Sequence, residues 1–440
     1  MDILLTSRLM LLLLTLLLIM VTAFGQLTSD YGSYSPTFEK KLIESDRKDG
    51  YCVQAFQVDD RTPIGLVAFG LTAGEINLYQ NPSTTIEPQK GTLIQKLDTP
   101  VGMDKADITG NGYQDIVVCF QYGRTHLDTD PDGGKLVWLE NPGENIDKKL
   151  WTQHYIGRSI SMHRVNVGHF TQTERWEIIG LPVLSKPFDE LSPTPVLLFR
   201  QPDNVLNATE WPYEIIDQKY FHVIHEVTVF KGDQLDNILV ASREGITWVY
   251  FNQKLKQWRI ERIGDGEQGL REETGIYGSG AVAVGRTGKD SVSYIVATEP
   301  FHGNMVAVYV KTMNNVLKEI QWKRYVLDVY GHPEGEGPLH HVICADFDKD
   351  GDDEFLIALR GPSPTQGVYY YKPIDLSRGV FSKWKVSDDS AARITFADFD
   401  YDGLLDFATI SYNVPRYYEA ENASINIFYN RFVRISDLLP

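Results

Sequence analysis

His340–Leu359 reads HHVICADFDKDGDDEFLIAL: an alternating run, a loop with carboxylates at every second position, and an apolar run that follows. Arg393–Ile410, RITFADFDYDGLLDFATI, repeats the same order. Alternation over a few residues is the mark of a half-buried strand, and the glycine punctuates the turn between two such strands. Working outward, equivalent first strands start near Val53, Val101, His163, His225, Gly280, His340 and Ala392, 48 to 62 residues apart. Self-similarity at a period near fifty is the signature of a ring of small sheets, and there are seven units. Each runs on through a second apolar strand such as DIVVCF or EFLIAL and an aromatic third strand such as KLVWLENP or GVYYYKP. A fourth strand opens near Trp151, Trp211, Trp258, Trp322 or Trp384, or at the plainer GTLIQKLD from Gly91. Four-stranded units divided by Gly, Asn, Pro and Asp turns imply an all-β fold.

The seventh unit stops after INIFYN, near Asn430, one strand short. FEKKLIESD, from Phe38, has the pattern of a fourth strand but precedes the first unit. Pairing it into the last unit closes the ring and covers a sheet edge. The expected architecture is a seven-bladed β-propeller over 38–432, closed by an N-terminal strand.

The segments outside the ring read differently. Residues 1–25 carry Arg8, an apolar run from Leu9 to Phe24 and small residues at Ala23 and Gly25, the pattern of a cleavable secretory signal. A membrane anchor is the competing reading, but the run is short and no basic cluster follows it. A linker over 26–37 and a tail over 433–440 complete the chain, and the protein is expected to be secreted, free of the membrane after cleavage. Sequons at Asn207 and Asn422 fit that route. Three cysteines make no disulfide framework, and a net charge of −17 argues against nucleic acid and anionic membranes as partners.

The carboxylate runs place Asp346, Asp348, Asp350 and Glu354 at positions one, three, five and nine around Gly351; Asp398, Asp400, Asp402 and Asp406 repeat this around Gly403. Alternating oxygen ligands suit a hard divalent cation, calcium or magnesium. Ile357 and Thr409 stand at the twelfth positions and the flanks are strands, so these are not EF-hands. The pattern resembles the FG-GAP or VCBS repeat of integrin-type propellers, whose loops hold calcium. A weaker copy spans Asp107, Thr109, Asn111 and Asp115. Loops between first and second strands lie on the face opposite the starts of the innermost strands, so they are expected to be structural clasps.

Aligning the units on that turn puts His163, His225 and His340 at one equivalent position, with Val53, Val101, Gly280 and Ala392 in the other blades. Arg164, Glu226, His341 and Arg393 occupy the next position. Seven inner strands converge on the axis, so these side chains are expected around one mouth of the central channel. A lone inner-strand histidine is most often a hydrogen-bonded core residue; four of the ten histidines at two equivalent positions point instead to a pocket. Long loops from second to third strand should rise over the same face, carrying His126, Asp128, Asp130 and Asp132, Lys186, and Tyr417 and Tyr418. The GxGxxA match at Gly278, Gly280 and Ala283 lacks the following helix that a dinucleotide site needs.

HRVNVGHF from His163, HEVTVF from His225, the WLENPG turn at Trp138, GPLHHVICADFD from Gly337 and SAARITFADFDYDGLLDFATISYNVPRYYE from Ser390 together resemble the propeller part of the fungal aldos-2-ulose dehydratases. The resemblance implies elimination of water from keto-sugars such as anhydrofructose and glucosone. The longer chains of that family add cupin domains linked to a later isomerisation; only the dehydration half is expected here. That chemistry needs a base near neutrality, an acid for the leaving oxygen and positive charge on the enolate. His163 or His225 is the expected base, His340 or His341 the acid, and Arg164 or Arg393 the stabiliser beside Glu226, with a catalytic metal of unspecified identity as a possible helper. The rival expectation is a non-enzymatic secreted propeller that binds glycans or a protein partner.

Overall fold

The computed structural model of the protein describes residues 36–432 apart from 86–87, 147, 270–276, 315–318, 332–336, 362 and 417. The signal segment 1–25, nearly all of the linker and the tail 433–440 lie outside the described residues, as does Tyr417. Phe38–Asn430 form one unit, the propeller; residues 36–37 and 431–432 belong to a second, short one. Among the described residues no helix is long and apolar enough to cross a membrane.

Seven four-stranded antiparallel sheets make up the propeller. Their first strands are Cys52–Phe56, Gly102–Ala106, Met162–Gly168, Glu226–Lys231, Ala281–Thr287, Leu339–Ala345 and Arg393–Ala397. Each starts within one residue of the position expected from the repeat. First strands of successive blades touch all the way round, blade 7 meeting blade 1, so they line the axis. Second strands are covered on both faces and read as unbroken apolar runs: Gly65–Phe69, Glu354–Leu359 and Asp406–Ile410 are buried at every position. Fourth strands such as Thr152–Arg158 form the rim and mix buried with exposed residues. Trp138, Trp151 and Trp211 are completely buried; burial of each such side chain stabilises the fold by about 2–3 kcal/mol.

Phe38–Glu44 pairs antiparallel with Ile425–Asn430 and completes blade 7, with Phe38 opposite Asn430. The ring of Phe38 meets Phe407 edge-on at 4.9 Å, and Phe407 stacks on Phe428 at 4.5 Å, so closure buries aromatic surface as well as pairing a sheet edge. The three cysteines are all free thiols, and Asn207 and Asn422 are both exposed.

Candidate functional site

Two of the repeated histidines sit on irregular backbone. The ladder of blade 3 slips between Met162 and Arg164, and that of blade 6 between Leu339 and His341. His163 and His340 are therefore the extra residues of two β-bulges, which bend a strand and re-aim its side chain. His225 directly precedes its strand, its amide donating to the Ala241 carbonyl (3.0 Å). All three side chains are buried and meet: ring centroids lie 5.2 Å apart for His163 and His225, and 5.9 Å for His225 and His340.

A fourth imidazole comes from outside the repeat. His302, in the loop between the second and third strands of blade 5, lies 5.5 Å from His340, and its Nε2 is 3.0 Å from His225 Nε2. Its backbone has φ 42°, a left-handed conformation that costs a non-glycine residue about 1 kcal/mol or more. Blade 5 has Gly280 in the histidine register. A Cβ there would press on the His302 amide at 3.2 Å, so the glycine makes room for the loop.

Backbone carbonyls fix two of the rings. A carbonyl can only accept, so His225 Nδ1–H donates to Gly280 O (2.5 Å) and His340 Nδ1–H to Ala392 O (2.6 Å). In both cases the acceptor is the equivalent residue of the next blade. The Nε2 lone pairs are left pointing inward, and His340 Nε2 is buried without a hydrogen-bond partner. His225, His302 and His340 each bring a ligand atom within 4.8 Å of the others. Three converging imidazoles, two of them anchored through their second nitrogens, suit a borderline ion such as zinc, whereas calcium and magnesium prefer oxygen. Burial, and then the neighbouring histidines and arginines, hold His225 and His340 well below the ordinary imidazole value, so lone pairs are available at neutral pH.

His163 departs from this pattern. Its Nδ1 is buried with no hydrogen-bond partner, and its Nε2 faces the Tyr51 hydroxyl at 3.4 Å. Tyr122 stacks on the ring at 5.1 Å. Tyr51, His163, His225 and His302 line a small cavity at this mouth, walled also by Phe301, His126 and Tyr412. The loop of blade 2 reaches the site through His126, 5.0 Å from Phe301; Lys186 of blade 3 stays on the surface beside Asp189.

Arg164, Glu226, His341 and Arg393 do not join the histidines. They form a second tier that lines the central channel, a cavity of about 480 Å³. Glu226 accepts from Arg164 Nε (3.1 Å) and from Arg393 (2.6 Å). Burial alone would raise its carboxyl, but the two guanidiniums hold it down to about 2. Both arginines thus pair with Glu226. His341 Nδ1 accepts from the Ile394 amide (3.3 Å), and burial with Arg393 lowers it to about 3. Arg164 alone reaches toward the histidines, donating to the Tyr51 hydroxyl at 3.2 Å.

The carboxylate loops lie between first and second strands, as expected, but they differ. In blade 6 Asp346, Asp348 and Glu354 converge as ion ligands would, and the Lys372 ammonium also lies among Asp348, Asp350 (2.5 Å) and Glu354 (3.4 Å). Asp346 accepts from the Gly351 amide, as Asp398 does from the Gly403 amide. In blade 7, Asp398, Asp400 and Asp406 converge as ion ligands would, while Asp402 accepts from the Leu404 amide and stands outside that group.

Residues 133–312 match the family model described as the aldos-2-ulose dehydratase β-propeller domain, a stretch that contains His163, His225 and His302. Over 420 residues the chain is 38% identical to an aldos-2-ulose dehydratase of Phanerodontia chrysosporium, which covers 89% of this chain and 46% of that protein. The chain thus spans about half the length of that relative. A solved structure described as a putative 6-phosphogluconolactonase from Bacteroides fragilis aligns with a TM-score of 0.45 at 8% identity, over 87% of this chain and 99% of the other. So loose a likeness carries no argument.

Proposed function

This chain carries the β-propeller domain of the aldos-2-ulose dehydratase family, and from that premise we propose that it is a secreted sugar lyase that removes water from a small keto-sugar. The observation that carries the reading is the convergence of His225, His302 and His340 beside the unanchored His163.

Elimination next to a ketone requires removal of an acidified α-proton and loss of the β-hydroxyl. His225, His302 and His340 would hold a zinc-like ion through their inward nitrogens. Such an ion, when bound, supplies Lewis-acid polarisation of the ketone. His163 is the base: its Nδ1 is committed to no backbone group and its ring is clamped by Tyr122. Burial first, then Arg164 and His225, holds it well below the usual imidazole value, so it rests neutral. Phe301, Tyr122 and Tyr412 supply aromatic walls to the pocket, which would limit the access of water to a bound sugar. His340 serves as a ligand in this reading and His341 takes no part. Arg164 and Arg393 act through the tier around Glu226. The carboxylate loops remain clasps on the other face, with calcium or magnesium at blade 7.

Mixing the purified protein with 1,5-anhydrofructose or glucosone should produce an ultraviolet-absorbing enone. No enone from any keto-sugar, together with saturable glycan binding, would replace this reading with that of a binding module.

A further inference from the structure

Resting on the dehydratase reading, we propose that Tyr51 is the general acid of the elimination, coupled to His163 as base. Tyr51 immediately precedes the first strand of blade 1 and is only 3% exposed. Its ring packs edge-on against His340 at 5.5 Å and Tyr412 at 5.8 Å, which aims the hydroxyl between the two tiers.

Counting donors decides what that hydroxyl can do. The Arg164 guanidinium can only donate, so the Tyr51 oxygen accepts from it at 3.2 Å. The same oxygen lies 3.4 Å from His163 Nε2. If His163 carries its proton on Nε2 and donates it, both lone pairs of the Tyr51 oxygen are filled. Two groups of the residues that line the small cavity then remain uncommitted: the buried, bare Nδ1 of His163 and the hydroxyl proton of Tyr51. One is a base and the other an acid. His225 and His340 cannot form such a pair, because the Gly280 and Ala392 carbonyls already take their Nδ1 protons.

The proton balance closes. His163 Nδ1 forms an N–H bond as the α C–H bond breaks, and the electron pair passes into the ketone as an enolate. The pair then returns to form the C=C bond while the C–O bond to the β-hydroxyl breaks. The Tyr51 proton goes to the departing oxygen, which leaves as water. The Nε2 proton of His163 moves to the Tyr51 oxygen, restoring the phenol and leaving His163 neutral with its proton on Nδ1. Exchange with solvent after product release returns that proton to Nε2. Throughout, Arg164 faces the oxygen on which negative charge develops, and Glu226 with Arg393 holds Arg164 in place.

Tyr51→Phe keeps the ring and removes the acid. With a keto-sugar bearing the β-hydroxyl, kcat should fall by roughly 100-fold or more while KM stays nearly unchanged. With an analogue whose β-hydroxyl is replaced by fluoride, which departs without needing a proton, the variant should match the wild type. An equal loss on both substrates would mean that Tyr51 only supports the pocket. Unchanged turnover of the hydroxyl substrate would likewise overturn the proposal. Wild-type protein that makes enone from neither substrate would sink the dehydratase reading, and the acid with it.

Discussion

The Lys372 ammonium lies 2.5 Å from the Asp350 carboxylate, inside a loop whose spacing calls for a metal ion. Blade 6 thus brings a cationic side chain to its loop, from the third strand opposite Glu354 (Phe355 pairs with Tyr371). Burial, then Asp348, pushes the Glu354 carboxyl up to about 8. A folded value above the ordinary 4.5 means that this group's share of stability is complete below about pH 4.5 and is lost as pH rises through 8. Lys372→Met leaves the carboxylates without their partner, at a cost on the order of 3 kcal/mol. Its melting temperature should fall below wild type, the gap should widen from pH 5 to pH 9, and calcium should narrow it. A gap insensitive to both pH and calcium would contradict the internal clasp.

Blade 7 carries no lysine on its third strand, Ile425–Asn430. Asp398, Asp400 and Asp406 converge, and Asp398 Oδ1 is buried without a hydrogen-bond partner. Calcium or magnesium at a hundredfold excess over its dissociation constant should stabilise the protein by about 2.7 kcal/mol, and chelation should reverse this. Asp398→Ala should abolish the shift with little effect on enone formation. Loss of turnover in that variant at full stability would move the ion into the reaction.

At the other face, His225→Ala, His302→Ala and His340→Ala should each reduce turnover by more than the roughly 100-fold typical of losing an outer partner of a metal ligand. Pairs of these substitutions should cost little more than one, since residues acting as a unit fail together. Metal analysis of the purified variants should show the same ion lost from all three. Full activity in His302→Ala would reduce the site to the histidines of the repeat.

Removal of Phe38–Glu44 takes away the strand paired with Ile425–Asn430 and the edge-on contact of Phe38 with Phe407. The shortened protein should aggregate or melt at lower temperature, as an unpaired edge invites pairing with another chain. A monomer with an unchanged melting curve would refute closure by this strand.

The ring was readable because register repeats. His163, His225 and His340 occupy one alignment column, and alternation fixed each first strand to within a residue. His302 obeys no period, because it comes from a loop between strands. Tyr51 stands in the histidine register of blade 1, its amide donating to the Phe69 carbonyl as that of His225 does to Ala241, but the alignment gave that place to Val53, two residues on. A signal for His302 existed in Gly280: a glycine in the histidine column leaves a space that a neighbouring loop must fill. Lys372 was equally hidden, because the loop pattern records ligands along the chain and not what the third strand supplies across it. The separation of Arg164 from His163 and of His341 from His340 takes place at two bulges, which sequence alternation does not register.

Because Phe38 and Asn430 are partners on a single rung, the first and last residues of the ring are only about 5 Å apart at their Cα atoms. A short peptide could join them, and the chain could be cut anew in the outer turn of any other blade. The numbering of the blades would then rotate while the histidine pocket stayed as it is. Circular permutants opened at each blade in turn would thus separate the order in which the polypeptide is written from the geometry that the reaction uses.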